Sequence, residues 1–447
     1  MNGLAIGFLA IEAVLLFTLP RRWVVVPILA VACYMPLGAG FDLGPFNFYG
    51  ARVVLSLAFM RMLMFAEGPV GGMNKLDWAI IAWSLVALLA SLFYPDVPAT
   101  LTNRAGAVFM ACGPYFALRT YCTDQDDVVR LCRSLALLLV PLSAAMLYEK
   151  LTATNPFAEF GSVSSVPEIR NGTVRAQGAF SHSILAGSIG AACLPLMAVL
   201  WRTHRLTARA GVAACLTMVF SSGSSGPIMG TVFGTAALLI WRLREYTRLM
   251  RWSAVAAYMG LAAVMNAPAY YIISYIDLTG SSTSWHRAAL IETTLAHFSE
   301  WWLAGTSYTR HWMAYGVGWS GNHIDITNYY IRMAVDGGLP LMLAFIVVLA
   351  HGFSLAGNAV YAHKGTSGQD RFLPWALGAS LFAHASNFIS VSYFDQSVMF
   401  LYMTLAAISA ASRPVPDTTD TTAVSVKQSQ PWQKHKSVVR PKNSLTL

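Results

Sequence analysis

Long apolar stretches are the feature that most constrains this chain. A helix needs about 20 mainly apolar residues to cross the hydrocarbon core of a bilayer, and stretches of nearly that length recur from residue 3 to residue 411. Charged residues make up 11% of the 447 positions, whereas about 25% is usual in soluble domains. This excludes a disordered chain, a coiled coil and an ordinary soluble enzyme. The pattern predicts an all-α, polytopic membrane protein with twelve or thirteen transmembrane helices.

The connections between the predicted spans alternate in charge. The spans are 3–20, 23–40, 48–66, 77–95, 103–121, 128–148, 179–201, 207–222, 225–243, 253–275, 332–357, 372–390 and 394–411. One set of connections, with the tail after Ala411, carries 21 of the 30 Lys and Arg residues. Because basic residues accumulate on the cytoplasmic side, we expect the N-terminus outside and the C-terminus in the cytoplasm.

The composition also predicts how the chain is organised. We expect a single transmembrane domain over residues 1–411 and a disordered cytoplasmic tail over 412–447, which is rich in Thr, Ser, Pro, Gln and Lys. The net charge of +9 comes from short basic clusters between apolar stretches. No nucleic-acid partner is therefore expected, and membrane lipid is the expected surroundings.

Two long loops on the predicted outer side carry most of the polar residues capable of chemistry. They are residues 149–178 and 276–331, and we interpret both as functional extracytoplasmic loops. Their basic residues are Lys150, Arg170, Arg175, Arg287 and Arg310. Since this side of a membrane protein is normally poor in Arg and polar clusters near lipid are costly, the concentration favours a binding or catalytic site.

The first loop leads into the span at 179–201 through Arg175 and His182. A forked guanidinium suits phosphate oxygens, and a helix N-terminus offers free N–H groups to an anion. The alternative is an Arg that merely reaches from a helix end towards water. The small-residue turn at 221–227, which contains Ser224 and Ser225, could form an anion-binding nest. A tight hairpin between two helices would need the same residues.

The second loop places His323, Asp325 and Asn328 close together where it returns to the span at 332–357. An imidazole or carboxylate there could accept a proton from a hydroxyl nucleophile. We expect Trp301 and Trp302 to be interfacial anchors, although sugar-stacking platforms would also be aromatic. No zinc spacing such as HExxH occurs, so neither a metal nor another cofactor is predicted.

Three short elements between residues 170 and 345 give the chain a family resemblance. Residues 175–187 resemble an Arg–Gly–Phe–His/Asn element at a helix start. Residues 221–227 resemble a small-residue element that often reads Thr-Gly-Ser-Arg-Gly. Residues 325–339 resemble a His-Asn…Gly-Leu element. In these elements the chain resembles the O-antigen ligase and polysaccharide polymerase superfamily of bacterial membrane glycosyltransferases. Ser225 and Thr327 stand where that family has Arg and His.

The resemblance implies an enzyme that transfers a glycan from an undecaprenyl-pyrophosphate donor to a hydroxyl. It would act at the outer face of the bacterial cytoplasmic (inner) membrane in exopolysaccharide or O-antigen synthesis, without an obligatory metal and with inversion. The departures favour a polymerase over a ligase. A chain-length regulator or a flippase would be its protein partner.

The implied roles divide between the two loops. Arg175 and Arg287 would hold the pyrophosphate, and either His323 or Asp325 would orient or deprotonate the attacking hydroxyl. The further substrate contacts would be His182, Arg310, Asn328, Ser224 and Ser225.

A transporter or flippase for lipid-linked oligosaccharide is the alternative. Transporters usually keep ionisable groups near the membrane midplane and have related halves. Here the residues capable of chemistry lie in loops and no repeat relates the halves, which favours the transferase.

Overall fold

The segments predicted as membrane spans are helical. In the computed structural model, every one of the thirteen predicted segments contains an α-helix. The structure describes residues 1–44, 46–275, 284–317, 320–362 and 368–413, and its described part up to Arg413 forms one compact unit. The predicted tail at 412–447 lies outside the described residues from position 414 onward.

Within the described residues, the secondary structure consists of helices and two small hairpins. The helices are α1 (Gly3–Thr18), α2 (Val25–Tyr34), α3 (Gly50–Met64), α4 (Lys75–Ala90), α5 (Val97–Tyr121), α6 (Gln125–Thr152), α7 (Ser183–Val199), α8 (Arg205–Ser221), α9 (Ser225–Leu239), α10 (Thr247–Val264), α11 (Ser284–Ala296), α12 (Phe298–Trp301), α13 (Tyr329–Ala362), α14 (Gly368–Asn387) and α15 (Ser397–Ala411). The strands are β1 (Gly40–Leu43), β2 (Phe46–Tyr49), β3 (Glu168–Arg170) and β4 (Thr173–Arg175).

Several helices have the length and apolar composition of membrane spans. Four helical segments of the described chain are both at least 18 residues long and apolar enough to cross a membrane: Lys75–Phe93, Gln125–Thr152, Ser225–Val264 and Tyr329–Ala362. Shorter apolar helices are Gly3–Thr18, Ser183–Val199 and Ser397–Ala411. At 1.5 Å per residue, the ten residues of α2 reach only about half of the hydrocarbon core. The described helices are thus often shorter than the spans predicted from hydropathy.

The prediction of an all-α chain is correct except for two antiparallel hairpins, β1–β2 and β3–β4. The second hairpin turns at Asn171 and Gly172, whose φ values are +50° and +74°. Two consecutive residues with positive φ define the type I′ turn, for which Asn-Gly is the preferred sequence. The hairpin therefore has a local sequence signal, which the apolar pattern did not reveal.

Helix α7 is the centre of the helical packing near the candidate site. It packs against α6, α8, α9, α14 and α15, and nearly all of its residues are buried. Small residues let its neighbours approach: a Cβ on Gly187 would lie 2.5 Å from Ser222 Oγ, and one on Gly190 would lie 2.8 Å from the Cys215 carbonyl oxygen. Small residues support close helix packing of this kind in membrane proteins. The close packing fixes the position of the N-terminus of α7.

Helix α13 is broken in its first third, where the second loop packs against it. Gly337 and Gly338 have non-helical backbone angles, with φ 72° and ψ −172° at Gly338. A Cβ on Gly338 would lie 2.5 Å from the carbonyl carbon of Leu303. The Leu339 N–H donates to the Trp302 carbonyl at 2.8 Å. The break thus allows the loop backbone to contact the helix directly.

Replacing Gly338 should destabilise this junction. We expect Gly338→Ala to lower the thermal stability of the purified protein, because its backbone angles cost a residue other than glycine about 1–3 kcal/mol and the Cβ would overlap Leu303. Gly357→Ala is the matched control in the same helix, since a Cβ there has no neighbour within 4 Å. Thermal unfolding in detergent checks both variants, and equal melting temperatures would contradict the account of the break.

Candidate functional site

The β3–β4 hairpin holds Arg175 in a buried position. In the hairpin register Arg175 lies opposite Glu168, and its Nη1 donates to Glu168 Oε2 at 2.7 Å. Its Nη2 donates to Ser224 Oγ at 2.6 Å. The Nε is buried and has no hydrogen-bond partner among the described residues. Burial lowers the pKa of Arg175 and the Glu168 carboxylate opposes that shift, but a guanidinium stays charged in proteins.

A second cation lies beside Arg175 at the turn between α8 and α9. Gly223 has φ +58°, and a Cβ there would lie 3.2 Å from Arg175 Cγ and 3.6 Å from Lys150 Nζ. Lys150 Nζ donates to the Val174 carbonyl at 2.7 Å. Helix α9 begins directly after this turn, at Ser225. Two cations therefore flank a turn that opens a 15-residue helix, and the N-terminus of such a helix itself attracts anions.

The serines of this turn serve mainly to position Arg175. Ser224 is buried, accepts from Arg175 and donates to the Ser222 carbonyl at 3.1 Å. Ser225 is half-buried at the first position of α9. The contacts of Ser224 are thus structural, and the predicted contacts of both serines with substrate stay predictions.

Buried polar side chains hold the backbone between β4 and α7. Glu149 is fully buried, and its two carboxylate oxygens accept from the N–H groups of Gln177 at 3.1 Å and Gly178 at 2.8 Å. The Asp395 carboxylate accepts from the Ser181 N–H at 2.9 Å. Gln396 donates to the Ala179 carbonyl at 2.8 Å. Sequence reasoning missed this scaffold, whose signal was a few isolated polar residues beside apolar helices.

His182 lies beside the Arg175–Glu168 pair. Its Nδ1 accepts from the Ile184 N–H at 3.2 Å and so caps α7. A neutral imidazole with an accepting Nδ1 carries its proton on Nε2, which lies 3.5 Å from Glu168 Oε2. The charges of Arg175 and Glu168, and more weakly that of Asp325 in the second loop, act on the His182 imidazole. The structure therefore brings Arg175 and His182 together at the Glu168 carboxylate.

The start of α11 lies next to Asp325. His286 Nε2 donates to the Asp325 carbonyl oxygen at 3.1 Å. Arg287 is half-buried one residue further along the same helix. Two of the predicted catalytic residues, Asp325 and Arg287, are thus adjacent to this hydrogen bond.

His323 faces outward from the same extended segment as Asp325. Ile324 and Ile326 are buried, whereas His323 is half-buried and Asp325 is exposed. Burial and the nearby Arg332 lower the pKa of His323, with Asp336 acting in the opposite direction. The imidazole is therefore neutral at pH 7 and able to accept a proton.

Two predicted substrate contacts have structural partners instead. The Arg310 guanidinium donates to the carbonyls of Met313 at 2.8 Å and Ala314 at 3.1 Å, which closes its own loop. Asn328 is buried, and its Oδ1 accepts from the N–H groups of Tyr330 and Ile331 at the start of α13. A substrate contact for either side chain stays a prediction.

The second loop has a small apolar core of its own. Its members are Leu290, Trp301, Trp312, Ile324 and Ile326, packed with Ile331, Ala334 and Val335 of α13. The expectation of an interfacial anchor is wrong for Trp301, which is 3% exposed and donates its indole N–H to the Thr294 carbonyl at 2.8 Å. Trp302 is 46% exposed. Trp301 is buried in the apolar core of the loop, whereas its neighbour Trp302 is exposed. Hydropathy alone does not predict this difference.

Comparison with known proteins supplies no relative. No family model matches the chain, and no curated protein is similar to it. Its function is therefore inferred from the contacts described above and from the motif resemblance within residues 170–345.

Removing the hydroxyl that supports Arg175 should destabilise the site. We expect Ser224→Ala to lower the free energy of unfolding by about 1–3 kcal/mol, because a buried charged donor loses its acceptor. Ser225→Ala is the matched control at the adjacent, half-buried position and should change it by less than about 0.5 kcal/mol. Unfolding of both variants in mixed micelles measures the difference. Equal stability of the two variants would argue against a structural role for Ser224.

Proposed function

We propose that this chain is a bacterial membrane glycosyltransferase that transfers a glycan from an undecaprenyl-pyrophosphate donor to a hydroxyl acceptor. In this proposal it crosses the cytoplasmic membrane through its apolar helices, with loops 149–178 and 276–331 on the outer face. The concentration of Lys and Arg in the opposite connections supports that orientation. Polymerisation of an exopolysaccharide or O-antigen is the favoured reaction.

The observation that carries the proposal is the cationic site at the turn of Gly223, where the buried Arg175 lies beside the half-buried Lys150. A pyrophosphate diester offers several anionic oxygens, and the forked guanidinium, the ammonium and the N–H groups at the N-terminus of α9 can donate to them together. The Arg175 Nε has no hydrogen-bond partner among the described residues, which leaves one donor for a phosphate oxygen. Glu168 is 45% exposed, so it can move away when phosphate takes its place on Arg175.

The second loop would supply the proton acceptor. In the transfer step the acceptor oxygen bonds to the anomeric carbon while the bond from that carbon to the pyrophosphate oxygen breaks. The electron pair leaves with the pyrophosphate, and the hydroxyl proton passes to His323 or Asp325. Direct displacement inverts the anomeric centre. Arg175 stabilises the charge that develops on the leaving group, and His182, which lies at the same Glu168 carboxylate, is a further contact for the donor.

Arg175 variants test the proposed site. We expect Arg175→Ala to reduce product formation about 10²–10³-fold, because a preorganised donor to the developing charge is lost. Arg175→Lys should retain more activity than Arg175→Ala but less than wild type, since it keeps the charge without the fork. The assay is gel analysis of products from liposomes that contain the protein and undecaprenyl-pyrophosphate-linked repeat units of its host. The matched control is Arg202→Ala, which changes an exposed Arg outside both loops.

The same assay separates the candidate functions. A ladder of products that disappears in Arg175→Ala would support a polymerase, and a single shifted band that needs an added acceptor would support a ligase. Near-normal product from Arg175→Ala at a normal protein level would contradict the proposed role. Movement of lipid-linked glycan across the bilayer without any new product would favour the transporter.

The pH dependence tests His323 as the proton acceptor. Because the pKa of His323 is lowered, the imidazole is neutral above the ordinary value of about 6.5 and is protonated only at lower pH. The initial rate should therefore stay level from about pH 8 to about pH 6.5 and fall below that range. Asp325→Asn should keep this acidic limb, whereas His323→Asn should abolish it. An unchanged acidic limb in His323→Asn would exclude His323 as its source.

A further inference from the structure

His297, Glu300 and His311 form a cluster in the second loop that the proposed transfer does not use. Each offers one potential ligand atom, and these atoms lie within 4.8 Å of one another. We propose that the three side chains bind a divalent transition metal ion of the zinc class, which fixes the fold of the second loop. This site is independent of the proposed transferase reaction and contacts none of its reacting atoms.

The sequence spacing of the three proposed ligands matches no known zinc motif, but the fold brings them together. His297 directly precedes α12, and Glu300 lies one turn later. His311 belongs to the 3₁₀ turn Arg310–Trp312. That turn returns to α12 because Trp301 and Trp312 are both buried in the apolar core of the loop. The third ligand therefore arrives by tertiary packing, which a search for short motifs does not detect.

The hydrogen bonds around the cluster orient its ligands. His297 Nδ1 donates to the Thr293 carbonyl at 2.8 Å, so the Nε2 carries the lone pair that a metal ion binds. Glu300 Oε2 accepts from the Trp312 indole N–H at 3.0 Å. Metal ligands in proteins commonly have such outer partners, which fix the tautomer and the orientation. Both ligands are thus held in forms competent to bind a metal.

The aromatic rings around the histidines restrict them further. The His297 ring stacks on Trp312 with centroids 5.4 Å apart, and the His311 ring stacks on Tyr308 at 5.2 Å. His311 Nε2 lies 3.0 Å from a Glu300 carboxylate oxygen. The Glu300 carboxylate thus lies between the His311 imidazole and the Trp312 indole N–H.

The ligand chemistry selects the class of ion. Two imidazoles and one carboxylate suit zinc and its neighbours, whereas magnesium and calcium prefer oxygen ligands. Ligand atoms in a tetrahedral zinc site lie about 3.4 Å apart, given bonds of about 2.0–2.1 Å. The three ligand atoms lie within 4.8 Å of one another before any ion is bound, which is close to that spacing. Three protein ligands leave the fourth position to water.

The site would close the segment that packs on the break in α13. Between Trp302 and Thr309 the loop backbone contacts that break: the Thr306 N–H donates to the Val335 carbonyl at 2.9 Å, and the Trp302 carbonyl accepts from Leu339. The proposed ligands lie on both sides of this segment. A bound ion would therefore hold the ends of the segment together and stabilise its contact with α13.

Zinc binding to the full-length protein tests this proposal. The protein is purified in detergent with a tag that contains no histidine, stripped with a chelator and titrated with zinc, and the bound metal is counted by mass spectrometry. We expect about one zinc per chain. His297→Ala, His311→Ala and Glu300→Gln should each abolish this binding. His204→Ala, in the connection before α8, is the matched control and should bind as wild type.

The outer partner of Glu300 provides a finer test. Trp312→Phe keeps an aromatic ring but removes the N–H donor to the carboxylate, so it should weaken zinc binding about 10–100-fold. Cobalt added to the stripped wild-type protein should give the visible spectrum of a tetrahedral site with nitrogen and oxygen ligands. This spectrum requires no variant to fold.

Two results would overturn the proposal. One is the absence of zinc binding and of a cobalt spectrum in the wild-type protein. The other is wild-type zinc affinity in folded His297→Ala and His311→Ala proteins. Neither result bears on the glycan transfer assay, so failure of the metal site and failure of the proposed function are distinguishable.

Discussion

The burial of the Arg175 guanidinium is the constraint on which the rest of the candidate site depends. A permanent charge removed from water is tolerated only when it is paired and hydrogen-bonded. Here Glu168 supplies the pairing and Ser224 supplies a hydroxyl acceptor. The hairpin must therefore present Glu168 opposite Arg175, and the turn before α9 must lie against both. The local geometry of the first loop follows from these requirements.

The second loop packs directly on α13 because that helix is broken. An unbroken helix would present side chains at positions 337 and 338, where the loop backbone now packs. The break accepts the loop at Trp302 and Thr306. Ile324 and Ile326 belong to the apolar core around Trp301. This core therefore fixes the path of the chain on either side of Asp325 as it returns to α13. The charge of Asp325 in the second loop thus acts on His182, which follows the first loop.

Much of the architecture could be predicted from the sequence, because apolar runs locate helices whatever their packing. The basic residues of the two loops were also visible in the sequence, and the structure places Arg175 and His182 at the same Glu168 carboxylate. Individual contacts could not be predicted in this way. Arg175 forms a buried ion pair, whereas Arg310 donates to a carbonyl of its own loop. Only the tertiary path of the chain decides which of these roles an arginine takes.

The scaffold and the proposed metal ligands show the same limit. Glu149 stands near a helix end in the sequence, and nothing local indicates that its carboxylate accepts two backbone N–H groups from the other end of the first loop. His297 and His311 are ordinary polar residues of a long loop until packing brings them together. The partners of such polar groups lie far along the chain, so they cannot be predicted from a single sequence.

The most direct test of the central claim is a cryo-electron microscopy structure with an undecaprenyl-pyrophosphate-linked donor bound. We expect the pyrophosphate at the turn of Gly223, with its oxygens within hydrogen-bond distance of Arg175 and Lys150, and with Glu168 displaced from the guanidinium. The sugar should then extend towards Asp325 and His323. A donor bound elsewhere, with the Arg175–Glu168 pair intact, would contradict the account.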